Sequence, residues 1–311
     1  QRKAFQPVVA PKNLTEFESL IRSRTRAALE SLPENTPFNW VELVSRNLTT
    51  QMLATLFDFP WEERQKLSMW SDAAVSDERI TGKADLTLEE RQLMAVDIFE
   101  SFSKLWQERL DDGVESFDLI RLMQKDPNTK DLINDPVMFI GNLLLLIVGG
   151  NDTTRNSMTG GVIFFNENPS ELEKVRNDTS LIPSMVSEVI RFQTPLPHMR
   201  RTVTRDFEFK GHRMKEGDKV VLWYCSANRD DDVIKNPDSF VIDRESPRNH
   251  ASFGFGIHRC MGNRLAEMQL RVLWEECLDL FESIEVQAEP TRLSNNFVRG
   301  YSELEVVVKR N

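Results

Sequence analysis

The sequence predicts a mainly α-helical fold with a small β contribution near its C-terminal third, in one domain over residues 1–311. Three observations lead there. Apolar residues recur three and four apart through most of the first half, the period of an amphipathic helix. One apolar run, VMFIGNLLLLIVGG (137–150), follows Asp135-Pro136, a strong helix start with Asp as cap and Pro at the first position. Alternating or β-branched runs, RTVTRDFEF and KVVLWYCS, come only after residue 200.

In chain order, QRKAFQPVVAP offers no initiator methionine, no apolar signal core and no obvious first element, so an N-terminally incomplete chain is expected. Residues 14–32 form an amphipathic helix with Phe17, Leu20, Ile21, Ala28 and Leu29 on one face, ended by PENTP. Further helices are expected at 40–57, 61–75, 88–110 and 117–123, with no strand series among them. The helix opened by Asp135 meets GGNDTT at 149–154. Gly-Gly-Asn-Asp reads either as a turn or as a polar patch in the middle of one helix of ~30 residues, ~45 Å long. Residues 181–192 form a short helix containing EVIR, and GHRMKEGD is the turn between the two strand-like runs. The last long helix reaches about residue 281, and the tail adds one hairpin.

Composition narrows function. A net charge of -10 argues against a nucleic-acid binder, which needs a basic surface to displace counterions. The three cysteines, Cys225, Cys260 and Cys277, make no CxxC pair, which fits a reducing cytoplasm and disfavours a tetrahedral zinc site. The apolar run is shorter than the ~20 residues of a membrane span, so no membrane anchor is expected.

The chemistry concentrates in FGFGIHRCMG (253–262). A cysteine just before a helix meets unpaired amides and the positive end of the helix dipole, which favour a thiolate. The glycines let the backbone approach a flat ligand. Taken by itself, Cys260 is either such a thiolate or a buried structural thiol. In EVIR, Glu188 and Arg191 lie on one helix face and can pair.

Phe253, Gly254, Gly256, His258, Cys260 and Gly262 resemble the Phe-Gly-x-Gly-x-His/Arg-x-Cys-x-Gly loop of the haem-thiolate monooxygenases, the cytochromes P-450. EVIR and GGNDTT resemble two further motifs of that family, in the same order. The resemblance covers essentially all 311 residues and implies a cytochrome P-450 fold lacking its N-terminal helices, most of its small sheet and the substrate-covering loop. It implies haem b with iron on the Cys260 thiolate, Phe253 and Gly254 beside it, and Arg2, Arg201 and His258 as propionate partners. Arg244, in PDSFVIDR, would join Glu188 and Arg191 in a buried charge network. Asp152 would relay protons and Thr153 donate a hydrogen bond during dioxygen activation, with small Gly149 letting the helix lie on the haem.

Substrate contacts would come from Leu145 and Gly149, from Leu196 and Met199 in QTPLPHM, and from Phe297 and Val298 in SNNFVRG. GGNDTTRNSMTGGV, PHMRRTV and FGFGIHRCMGNRLAE look like the bacterial soluble branch that hydroxylates medium-chain alkanes and fatty acids at the terminal carbon. A terpene or steroid-like substrate, or an inert haem-binding remnant, are the alternatives. The resemblance also implies dioxygen as co-substrate and electrons from NAD(P)H through a soluble ferredoxin and its reductase. Arg2, Lys3, Arg259 and Arg264 are candidates for a basic docking patch.

Overall fold

A computed structural model describes residues 2–76, 86–111, 113, 114, 116 and 118–311. The first half is helical: α1 (Arg2–Phe5), α2 (Pro11–Glu30), α3 (Asn47–Phe57), α4 (Gln65–Ala74), α5 (Leu88–Asp111) and α6 (Leu119–Lys125). A short first helix thus exists where the residues alone gave no obvious first element. Residues 40–57 are not one α-helix, since a wider π-helical turn over Val41–Arg46 precedes α3. The expected start at Phe117 lies outside the described residues.

The long helix α7 (Pro136–Glu167) opens as its sequence dictates, with Asp135 Oδ1 accepting from the Met138 amide at 3.1 Å. It continues without a break through GGNDTT, for 32 residues or about 48 Å. The turn-forming side chains in that patch find partners on other helices, which removes their reason to break it. Asn151 Oδ1 accepts from Thr49 of α3 at 2.7 Å, and Asp152 Oδ2 accepts from Ser71 of α4 at 2.9 Å.

By length and composition α7 is long and apolar enough to cross a membrane. Here it is the spine of two apolar clusters. Its first half gives Phe139, Leu143 and Ile147 to a cluster with Phe57, Trp70 and Phe102. Its second half gives Met158, Val162 and Phe165 to one with Trp40, Trp274 and Phe281. Each such side chain, fully buried, stabilises the fold by about 1.5–3 kcal/mol.

After α7 come α8 (Pro169–Asn177), α9 (Ile182–Gln193), the one-turn α10 (Tyr224–Ala227) and α11 (Asn263–Leu280). The strands are short: β1 (Phe38–Asn39), β2 (His198–Thr202), β3 (Phe207–Phe209), β4 (His212–Met214), β5 (Lys219–Trp223), β6 (Phe281–Val286), β7 (Thr291–Arg292), β8 (Tyr301–Glu303) and β9 (Glu305–Arg310). β2 pairs antiparallel with β5, with Arg201 opposite Val220, and between them β3 pairs with β4. The segment expected as a turn therefore contains a strand. In the tail, β6 pairs with β9 and encloses the β7–β8 pair, two ladders where one hairpin was expected. β9 also carries β1, with Phe38 opposite Val306, a strand in the half where no strand series was foreseen. Two residues carry no period, and their partner lies at the other end of the chain.

Candidate functional site

The segment before α11 folds back on itself, the Cys260 amide donating to the Phe253 carbonyl oxygen at 2.7 Å. Gly254 and Gly256 turn the chain with φ of +66° and +71°, the left-handed region that glycine enters without strain. A Cβ on Gly254 would also stand 3.1 Å from the Tyr224 hydroxyl. This places Cys260 two residues before the cap of α11.

Cys260 is the exposed cysteine, whereas Cys277 is buried and Cys225 half-buried. Although Cys260 is open on one side, the protein packed around its sulfur pushes the thiol up. The Gly262 amide, Arg2 and Arg259 pull the other way without cancelling it. The helix start favours a thiolate, but burial opposes it, so a metal that binds here displaces the thiol proton.

Arg2 and Arg259 are the cations that act on this loop. Arg2, on α1, is close enough to Cys260 to act on its thiol. Arg201 lies on β2, two residues from Met199 and so on the same face of the strand. Its guanidinium donates to the Arg200 carbonyl oxygen at 2.9 Å. Among the described residues, Arg2, Arg201 and His258 form no ion pair with a carboxylate.

On α7, Leu145, Gly149 and Thr153 stand four residues apart, on one face. Leu145 is 72% exposed, and a Cβ at Gly149 would meet no atom within 4 Å. Next to this bare strip the Thr153 hydroxyl donates to the Gly149 carbonyl oxygen at 3.1 Å. Met261, beside Cys260, and Leu144, beside Leu145, both pack against the apolar cluster fed by the first half of α7.

Asp152 is fully buried, and burial pushes its carboxyl up. Its Oδ1 accepts from Arg155 Nη2 at 2.6 Å, and Arg155 Nη1 donates to Asp72 Oδ1 at 2.9 Å. Asp72 in turn lies 2.9 Å from Arg46 Nη2. Arg155 is 3% exposed and Asp72 36%, so ion pairs run from the buried acid outward toward water. Sequence reasoning missed Arg155, Asp72 and Ser71. The only local signal was the three-residue spacing of Asp152 and Arg155.

The EVIR pair and Arg244 come together as expected. Glu188 accepts from Arg191 Nε and Nη2 at 2.7 and 2.8 Å, from Arg244 Nε at 2.9 Å and from the Val241 amide at 2.8 Å. Glu188 and Arg191 are almost completely buried. The arginines' other donors reach carbonyl oxygens of Asn228, Pro237, Ser239 and Asn236.

The two apolar loops also meet, through the Arg299 amide donating to the Pro195 carbonyl oxygen at 2.8 Å. Leu196, Met199 and Phe297 are each half-buried and have surface to offer. Val298 does not. It is 1% exposed, with its side chain spent in the core.

The profile of the cytochrome P-450 family matches residues 89–307 of the chain. The chain belongs to the cytochrome P-450 family. Cytochrome P-450-153 from Novosphingobium aromaticivorans has a similar structure, with a TM-score of 0.89 at 43% identity, over 99% of this chain and 74% of that one. Linalool 8-monooxygenase of Pseudomonas putida is 33% identical over 99% of this chain and 74% of its own length. Methyl-branched lipid omega-hydroxylase of Mycobacterium tuberculosis is 31% identical over 98% of this chain and 71% of its own.

The helical architecture with small sheets is thus a cytochrome P-450 fold, and the protein is a monooxygenase. Membership implies a haem whose iron is held by a cysteine thiolate. The residues present fit such a group: one exposed thiol on a glycine-turned loop, cations without carboxylate partners, and a helix face left bare at Gly149.

Proposed function

We propose that this cytochrome P-450 hydroxylates medium-chain alkanes or fatty acids at the terminal carbon. What carries the reading is the strip Leu145, Gly149 and Thr153 on α7. There an apolar side chain, an unfilled space and a hydroxyl succeed one another along one face. Leu196, Met199 and Phe297 extend that set without adding a charge, as an alkyl chain requires. The C–H bonds next to a terminal methyl are weaker, so terminal attack depends on presenting the methyl alone. The omega-hydroxylase relative supports this choice. The linalool relative supports a terpene as the second reading.

In this scheme Cys260 ligates the iron with Phe253 and Gly254 around the sulfur, and Arg2, Arg201 and His258 hold the propionates. The bound haem supplies dioxygen activation and oxygen insertion into the C–H bond. Asp152, whose carboxyl burial pushes up against the pull of Arg155, takes up a proton and passes it to the Thr153 hydroxyl. Arg155 and Asp72 connect Asp152 with solvent. Two electrons come from NAD(P)H through a ferredoxin and its reductase in the cytoplasm, docking where Arg2, Lys3, Arg259 and Arg264 lie. The balance is RH, O2, NAD(P)H and a proton giving ROH, water and NAD(P)+.

With a ferredoxin, its reductase and NADH, octane should give 1-octanol and decanoic acid its ω-hydroxy acid as main products. Exclusively subterminal alcohols from both substrates would reject the terminal assignment.

A further inference from the structure

Asn156 lies one turn beyond Asp152 on α7 and is fully buried. Its two side-chain atoms face different elements. Nδ2 donates to the Asp152 carbonyl oxygen at 2.8 Å, while Oδ1 accepts from the Tyr301 amide at 3.0 Å. The residue before Tyr301, Gly300, has no room for a side chain, because a Cβ there would stand 2.1 Å from Asn156 Oδ1. The chain at Gly300 and Tyr301 is therefore pressed against the middle of α7.

The same turn is held at other points. Asn295 Oδ1 accepts from the amides of Phe297 and Val298, both at 2.8 Å, while its Nδ2 donates to the Val75 carbonyl oxygen at 3.0 Å. Gln193 Nε2 donates to the Arg299 carbonyl oxygen at 2.8 Å. Buried Val298 adds to the anchorage, so Phe297 is carried on a turn held at several points, Asn156 of α7 among them.

We infer that Asn156 is the positioning residue that sets which carbon of the substrate is oxidised, by fixing the Phe297 turn against α7 one turn from Thr153 and Asp152. Phe297 is half-buried and apolar, and on the proposed reading it is the wall that limits how far an alkyl chain slides past the Gly149 strip. A shift of about 1 Å in such a wall is enough to change which C–H bond is presented. The inference rests on the hydroxylation reading for its substrates but not for its mechanical part.

The test uses haem-loaded Asn156→Ala, Gly300→Ala, the double variant and Asn156→Asp, with two readouts. One is the melting temperature. Gly300→Ala alone is expected to lower it by roughly 5 °C, since the added methyl overpacks a closed contact. In the Asn156→Ala background the same change should cost almost nothing, because the space is vacated. The other is the positional ratio of alcohols from octane. Each alanine variant is expected to shift it about tenfold toward interior carbons, with the reduced carbon monoxide spectrum unchanged. Asn156→Asp, which keeps the acceptor for the Tyr301 amide and nearly the same volume, should stay closer to the wild-type ratio than Asn156→Ala.

Strictly additive melting shifts, or a positional ratio unmoved in both alanine variants, would overturn the inference. If the wild type itself makes only interior alcohols, the terminal assignment fails. The inference is then judged on the ratio among those interior positions, which must still move.

Discussion

Glu188→Ala is expected to destabilise the protein by about 3–5 kcal/mol, the cost of leaving a buried charge without its partner. Four donors converge on that carboxylate, and Arg191 beside it is 1% exposed. Removing the acid strands the Arg191 guanidinium in the core with carbonyl oxygens as its remaining hydrogen-bond partners. The melting temperature should fall on the order of 10 °C, with haem lost at a lower temperature than in the wild type. Glu188→Gln, which keeps the side chain's shape and one acceptor oxygen, should fall by less. An exposed helix pair is worth only a few tenths of a kcal/mol. A loss of that size would show that the network is not buried as described.

Thr153→Ala is expected to separate electron use from product. NADH consumption should persist while alcohol per NADH falls and hydrogen peroxide rises, as the proposed hand-on of a proton by the hydroxyl beside the bare strip of α7 requires. Asp152→Asn should act on rate instead, slowing product formation about 100-fold, the ordinary worth of a placed proton donor. It also leaves Arg155 paired with Asp72 alone. Unchanged coupling in the threonine variant would remove Thr153 from the mechanism.

What the sequence disclosed depended on distance along the chain. The cysteine loop closes within itself, from Phe253 to Cys260, so its glycine spacing could be read directly. Glu188 and Arg191 are neighbours on one helix for the same reason. The GGNDTT patch was ambiguous because its local preference for a turn is overruled by Thr49 and Ser71, which lie on other helices.

Arg155 meets Asp72 across 83 residues and Asn156 meets Tyr301 across 145, separations at which no spacing rule applies. β1 and β4 escaped notice because short strands are specified by their pairing partners and not by their own period. Val298 shows a further limit. That a residue is apolar does not say whether it faces a ligand or the core.

Thiolate ligation of haem iron by Cys260 is tested most directly by the carbon monoxide difference spectrum of the reduced protein. The wild type should show the red-shifted Soret band of a thiolate-ligated complex, and Cys260→Ser should lose that shift. A wild-type spectrum without the shifted band, or a shifted band that survives in Cys260→Ser, would contradict the assignment.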